Sequence, residues 1–348
     1  MEDQLLDAQQ SGGPGATAFK PPASFVPRAP WWGGDLQTIR NYLRKRRPPD
    51  LTPWPGLRLE LPVLDGSGDR LSVSLHQPAI EAGRPLAVLI HGLTGCEDSV
   101  YLRASARHLL GLGYPVVRLN QRGAGPSRPL CRSRYHAGLS GDLGDALKAL
   151  ADLDPRLISR GVVLVGYSLG GNVLLKFLAE AGSDFPIRAA ATVSTPIDLA
   201  ASVARIMTRR NRPYHNYLLS RMKAEEAARP EPLTTDERTT LERIARIYDF
   251  DEIVVAPRAG FSGADEYYRR CSALGFVDRI AVPTLLIHAT DDPWVPAASY
   301  GAIPWQRTPI LQPLISERGG HVGFHGRGSL VAWHDQAIAG FFAAHLGF

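Results

Sequence analysis

The sequence predicts an α/β protein: a mostly parallel, doubly wound sheet with an antiparallel N-terminal edge and a helical insertion. Three observations carry this reading. Short, continuously apolar runs recur from residue 85 onward, among them Leu86-Ala87-Val88-Leu89-Ile90 and Val162-Val163-Leu164-Val165, the pattern of strands buried on both faces. Amphipathic stretches of helical length separate these runs, and such alternation with right-handed crossovers lays helices on both sides of one sheet. The rhythm then stops from about residue 200 to about 275 and resumes at Thr284.

The elements follow in order. Residues 1–24, rich in Gly, Pro, Ala and Gln, read as a disordered arm. Residues 25–56 hold Trp31, Trp32, Trp54 and many prolines, an irregular wrap with a short helix near Leu36 to Lys45. Leu57 to Leu61 and Leu71 to Leu75 alternate apolar and polar around Asp65-Gly66-Ser67-Gly68-Asp69. This predicts a hairpin, each strand half exposed, at the antiparallel edge. Buried strands follow at Leu86 to Ile90, Pro115 to Leu119, Val162 to Val165 and Arg188 to Val193, with helices near Ser99 to Leu112, Leu139 to Leu153 and Gly171 to Ala181. Residues 201–210, 214–228 and 234–248 read as polar, charged helices with no buried strand. These predict a lid over the sheet's carboxyl edge, spanning 200–275 and splitting the core into 25–199 and 276–348. Thr284 to His288 and Leu311 to Ile315 complete the sheet, and Leu330 to Leu346 closes the chain with Phe341, Phe342 and Leu346 on an apolar stripe.

With 348 residues and 44% hydrophobic content the chain can bury a sizeable core. No apolar run approaches the roughly 18 residues of a spanning helix. The start is acidic and polar, unlike a secretory signal. Cys96, Cys131 and Cys271 suit neither a disulfide framework nor a zinc spacing. A reduced, cytoplasmic protein is expected. The net charge of +5 is partly local, in Arg44-Lys45-Arg46-Arg47 and in Arg205, Arg209, Arg210 and Arg212. No nucleic-acid fold motif accompanies these clusters, so no nucleic-acid role is expected; a weak pull towards membrane surfaces or anionic substrates remains.

The chemistry centres on Gly166-Tyr167-Ser168-Leu169-Gly170, which follows a buried strand and opens a helix. The spacing G-x-S-x-G is that of a nucleophile elbow. A turn this tight needs glycine on both sides of the serine, and it lifts the Ser168 hydroxyl above the strand's carboxyl end. A serine hydroxyl needs a base and an acid that orients the base. Both are expected later, in the order Ser, Asp, His. His321 in Gly319-Gly320-His321-Val322-Gly323 is the expected base, with His325 its rival. Asp292 in Asp291-Asp292-Pro293-Trp294-Val295-Pro296 is the favoured acid; Asp291 would then serve the turn. The spacing His321-x-x-x-His325 fits a metal pair poorly in a glycine-rich loop with no third ligand in view, so no metal is expected. Oxyanion donors are expected from the backbone N–H groups of Leu169 and, in the His91-Gly92-Leu93-Thr94-Gly95 loop, Leu93, with His91 bracing that loop. Asn120 to Ser127 carries a G-x-G, but Arg128 and the missing downstream acid speak against a nucleotide site and any cofactor; Arg122 and Ser127 read as turn stabilisers.

Taken jointly, these motifs resemble the YheT-like branch of the α/β-hydrolases, related to the eukaryotic ABHD1/ABHD3-type lipases. The resemblance runs from about residue 25 to the end. It includes Leu36-Gln37-Thr38 behind the Trp-rich segment, His91 to Gly95 with Ser99 and Tyr101, and Asn120, Arg122, Gly123 and Ser127. It continues through Gly166 to Asn172, Asp291-Asp292-Pro293 and Gly319 to Phe324. It implies the α/β-hydrolase fold, a serine-hydrolase triad and activity on carboxylic esters, some relatives acting on phospholipids or transferring medium acyl chains. Asp35 stands where the family usually has His, and Ala124 where it often has Cys. The sequence thus leads to a serine hydrolase of short- to medium-chain acyl esters. Acyl transfer to an alcohol by the same triad, or a non-catalytic lipid- or ligand-binding module on this fold, are the alternatives.

Overall fold

The structure, a computed structural model, describes residues 19–347. Among these, eight strands form one sheet in the order β1-β2-β4-β3-β5-β6-β7-β8. The strands are β1 (Gly56–Pro62), β2 (Arg70–His76), β3 (Leu86–Ile90), β4 (Val116–Leu119), β5 (Val162–Tyr167), β6 (Ile187–Val193), β7 (Thr284–Ala289) and β8 (Leu311–Ser316). β1 and β2 pair antiparallel, as do β2 and β4; every later pairing is parallel. The parallel strands therefore all end on one edge, and the loops after β3, β5, β7 and β8 meet there.

Strand alternation divides the core into two layers. Leu86, Val88 and Ile90 of β3 and Val162 and Leu164 of β5 join one apolar cluster. That cluster packs on α3 (Gly141–Leu153) and α4 (Leu169–Ala181) through Leu147, Leu174 and Phe177. Ala87, Leu89, Val163 and Val165 face the other side, against α2 (Val100–Gly111) and α9 (Trp333–Leu346) through Leu109, Phe341 and Phe342. The closing helix is buried at Phe341 and Phe342, while Leu346 is only partly covered.

The hairpin departs from expectation. β1 is largely exposed, but β2 is buried at every residue after Arg70. Its polar face, Ser72, Ser74 and His76, is covered by a network rather than by water. Ser74 donates to Glu97 (3.0 Å), Arg58 pairs with Glu97 (2.5 Å), and Asn120 donates to Glu97 (2.8 Å) and to the Ser72 carbonyl (2.9 Å). The alternation identified two faces correctly; the second is solvated by side chains.

Of the arm expected to be disordered, residues 1–18 lie outside the described residues. Residues 19–24 instead lie against α9: Phe19 meets Phe341 edge-on, and the Ala23 carbonyl accepts from the Trp333 indole (2.8 Å). The wrap's helix is α1 (Gly33–Leu43), followed by a 3-10 turn at Arg44–Arg46. Between β6 and β7 stand α5 (Leu199–Ile206), α6 (Arg212–Ala227), α7 (Thr235–Arg243) and α8 (Ala264–Cys271), with a π-helical turn at Asp251–Val255. They enclose their own apolar cluster, including Leu218, Met222, Phe250 and Tyr268, which meets the rest of the molecule at Leu93, Leu169 and Trp294. No described helix is long and apolar enough to cross a membrane.

Candidate active site

Ser168 sits between β5 and α4 with φ 49° and ψ −125°, a conformation costing about 1–3 kcal/mol for a residue with a Cβ. The surroundings hold it there. Its N–H donates to the Val193 carbonyl (2.9 Å), and its carbonyl accepts from Gly171 N–H (2.8 Å). A Cβ on Gly166 would lie 2.6 Å from the Gly170 carbonyl oxygen, and one on Gly170 would run into the His91 carbonyl. The flanking glycines are thus required by close backbone approach, as the G-x-S-x-G spacing implies. Gly92 is a third such position, its Cβ place lying 2.9 Å from Ser168 Cβ.

His321 stands beside the serine. With the proton on Nδ1, that nitrogen donates to Asp292 Oδ2 (2.8 Å) while Nε2 accepts from the Ser168 hydroxyl (2.9 Å). Asp292 is fully buried. Its Oδ1 accepts the N–H groups of Trp294 (2.7 Å) and Val295 (3.0 Å). Burial raises its pKa, but the charge and hydrogen bond of His321 outweigh this and leave the carboxyl below its ordinary value. Asp291 turns elsewhere and accepts Gly320 N–H (2.8 Å), which fixes the histidine loop. Burial pushes its pKa up. His325 does not reach the serine. Its ring lies against Arg40 (2.9 Å), and burial with that cation drives its pKa down to about 2.

Leu93 and Leu169 both line the cavity that holds Ser168 and His321. Leu169 is the first residue of α4, so its N–H is among the unpaired helix-start donors. The Leu93 loop is held from both sides by tyrosine hydroxyls. Tyr101 accepts Gly92 N–H (3.0 Å), and Tyr135 accepts Thr94 N–H (2.7 Å). His91 braces the same loop: Nδ1–H donates to the Gly92 carbonyl (2.8 Å) and Nε2 accepts Gln121 N–H (3.1 Å). Burial drops its pKa to about 4, so the ring is neutral near pH 7.

Several positioning residues escaped the sequence reading. Thr38 Oγ1 accepts His321 N–H (2.8 Å), Asn41 donates to the Val322 carbonyl (2.8 Å), and Gln37 accepts His325 N–H (2.7 Å). Helix α1 thereby braces the histidine loop, which gives Gln37 and Thr38 of the Leu36-Gln37-Thr38 motif a physical role. Asp35 pairs with Arg210 (2.7 Å) and accepts from the Tyr214 hydroxyl (2.9 Å), tying α1 to the helices after β6. Trp294 lies over His321, ring centroids 4.3 Å apart. Strain gathers here: among the described residues the non-glycine positive φ values are at Thr94, Ser168, Ser194, Val322 and Phe324.

The cavity measures about 220 Å³. Its wall away from the serine is mainly apolar, with Leu199, Val203, Ile206, Leu218 and Met222, and it includes the buried carboxyl of Asp251. Burial lifts the Asp251 pKa to about 7, against a hydrogen bond from the Tyr268 hydroxyl (2.7 Å).

Comparison with known proteins gives the same fold. A family model described as alpha/beta hydrolase fold matches residues 85–327. The chain is 34% identical over 340 residues to YheT of Escherichia coli, covering 95% of this chain and 96% of YheT. It is 30% identical over 288 residues to medium-chain fatty acid ethyl ester synthase/esterase 2 of Saccharomyces cerevisiae, covering 75% of this chain and 62% of that protein. Phospholipase ABHD3 of Homo sapiens is 25% identical over 244 residues, covering 69% and 59%. Among solved structures, the Pyrococcus furiosus esterase Pf2001 superposes with a TM-score of 0.56 at 17% identity, covering 94% of this chain and 98% of that one, a likeness of fold.

Proposed function

The chain belongs to the YheT-like branch of the α/β-hydrolase fold family and is an enzyme of that family; from this premise we propose that it cleaves carboxylic esters of short to medium acyl chain through an acyl-enzyme on Ser168. The observation that carries the reading is the hydrogen-bonded line Ser168–His321–Asp292 at the floor of a largely apolar cavity. His321 Nε2 takes the hydroxyl proton as Ser168 Oγ attacks the ester carbonyl. Asp292 holds the imidazole in the Nδ1–H tautomer and offsets the charge of the imidazolium. Leu93 and Leu169 N–H groups hold the oxyanion, each contributing about 3 kcal/mol in the transition state. The C–O bond to the alcohol breaks and the alcohol leaves with the proton from His321. Water then repeats the cycle on the acyl-enzyme and frees the acid.

The helices within residues 200–275 are proposed to cover the acyl chain, since Leu218 and Met222 of α6 line the cavity. Interception of the acyl-enzyme by an alcohol is the second reading; the yeast relative, named as both synthase and esterase, favours it. The test is turnover of p-nitrophenyl esters of increasing chain length by wild type and Ser168→Ala, with products analysed in the presence of ethanol. Turnover with a short- to medium-chain optimum, lost in Ser168→Ala, supports the proposal. Undiminished turnover in Ser168→Ala rejects it, and ethyl ester as the main product selects transfer.

A further inference from the structure

The cation cluster at residues 44–47 takes no part in this chemistry, yet the fold gives it a definite setting. Arg44–Arg46 form the 3-10 turn that continues α1, and all four side chains are exposed. Lys45 reaches the Tyr217 hydroxyl (2.9 Å), whereas Arg44, Arg46 and Arg47 have no carboxylate partner among the described residues. Arg40, one turn earlier, has its pKa pushed down to about 10, first by burial and then by the neighbouring Arg28 and Arg44.

Helix α1 adds an apolar face. Gln37, Thr38 and Asn41 point inward to the histidine loop. Helical spacing then sets Leu36, Ile39 and Leu43 on the opposite side. Leu36 is 38% and Leu43 57% exposed, and Trp32, just before the helix, is 60% exposed. Outward apolar residues followed by exposed cations are the pattern of an interfacial helix. A polyanion read through its phosphates needs the arginines but has no use for Trp32, Leu36 and Leu43, whereas a bilayer of anionic phospholipid uses both. The placement also bears on access. Tyr42 and Lys45, both exposed, line the cavity together with Thr38 and Asn41, so the cavity opens beside this helix.

We propose that α1 and the Arg44–Arg47 turn form a docking surface for an anionic phospholipid bilayer. Trp32, Leu36 and Leu43 enter the headgroup layer, and Arg44, Arg46 and Arg47 meet lipid phosphates. Docking in this way sets the cavity mouth at the membrane surface, where sparingly soluble acyl compounds reside. The inference stands on surface geometry and is independent of the catalytic reading.

The test is co-sedimentation of the full chain with phosphatidylcholine vesicles, with and without phosphatidylglycerol, and with a short DNA duplex as competitor. Two variants accompany it, Arg46→Glu/Arg47→Glu and Leu36→Ser/Leu43→Ser, each checked for fold by circular dichroism and its thermal transition. Wild type is expected to bind the phosphatidylglycerol vesicles and to be released by salt. Loss of each attractive charge weakens vesicle binding about fivefold, so the charge-reversal pair should bind at least about 25-fold more weakly. The serine pair should lose binding at unchanged charge. Equal binding to both vesicle types overturns the proposal, as does wild-type binding by either folded variant. Displacement by DNA together with full binding by the serine pair overturns it in favour of a nucleic-acid surface. If one variant fails to fold, the other decides.

Discussion

Ser168 is held at an unfavourable φ by two backbone hydrogen bonds and by glycines that admit the neighbouring chain. Strain of this kind survives only where the surroundings over-determine it. The two adjacent aspartates divide their labour by direction: Asp292 faces His321 and two turn amides, while Asp291 faces Gly320 N–H. Asp292→Asn should therefore lower kcat/KM on the order of 10³–10⁴-fold, because the amide favours the wrong imidazole tautomer. Asp291→Asn, which keeps an acceptor for Gly320, should cost less than about tenfold, or about 1.4 kcal/mol. Steady-state kinetics on one soluble ester distinguishes them, and equal losses would refute this division. The serine and the histidine were legible because each sits in a glycine pattern imposed by local backbone geometry. Asp292 was legible only as a preference, because the direction of a side chain in a turn is set by what the turn packs against. Thr38, Asn41 and Tyr135 were not legible in role. Each acts on a loop remote in sequence, Thr38 on His321 and Tyr135 on Thr94, and no local spacing encodes such a contact.

At the scale of elements, the candidate site lies on loops, and neighbouring elements position them. The Leu93 loop is suspended between Tyr101 and Tyr135, and the Tyr135 hydroxyl in turn lies 3.3 Å from Glu225 of α6. Tyr135→Phe leaves Thr94 N–H without its partner, at about 1–3 kcal/mol. The expected outcome is roughly a tenfold fall in kcat with KM nearly unchanged; a change confined to KM would assign the tyrosine to substrate binding instead. On the apolar wall, Leu218→Trp in α6 should shift the optimum of an ester series to shorter acyl chains without loss of rate on acetate esters. An unchanged optimum would place the acyl chain elsewhere. Element types were legible wherever periodicity was strong, as in β3, β5 and the helices flanking them. The environment of β2 was not. Its alternation showed two faces, but the cover on the polar one comes from Glu97, Asn120 and Arg58, brought together only by the fold.

At the scale of the whole molecule, the described residues build one mostly parallel sheet whose carboxyl edge gathers the candidate site, with a helical cluster packed separately beside it. Its pH dependence follows from buried groups. Burial drops His91, His136 and His288 to about 4. The unfolded chain binds these protons near pH 6.5, so their contribution to stability is present above that pH and is lost as pH falls towards 4. Asp251, raised to about 7, works in the other direction, its contribution being lost as pH rises from about 4 to about 7. With His325, held at about 2 by burial and Arg40, four groups against one leave a net loss of about 4 kcal/mol per pH unit on acidification through this window. Urea unfolding between pH 7 and pH 4 should show this slope, and Asp251→Asn should steepen it. A flat profile would mean that the imidazoles reach water.

The central claim is an acyl-enzyme on Ser168, and a fluorophosphonate tests it most directly because the reagent reports an activated serine whatever the natural substrate. Intact-protein mass spectrometry after labelling should show one adduct, located by peptide mapping at Ser168 and lost in Ser168→Ala and in His321→Ala. No adduct on folded wild type, or an adduct that persists in Ser168→Ala, would contradict the account.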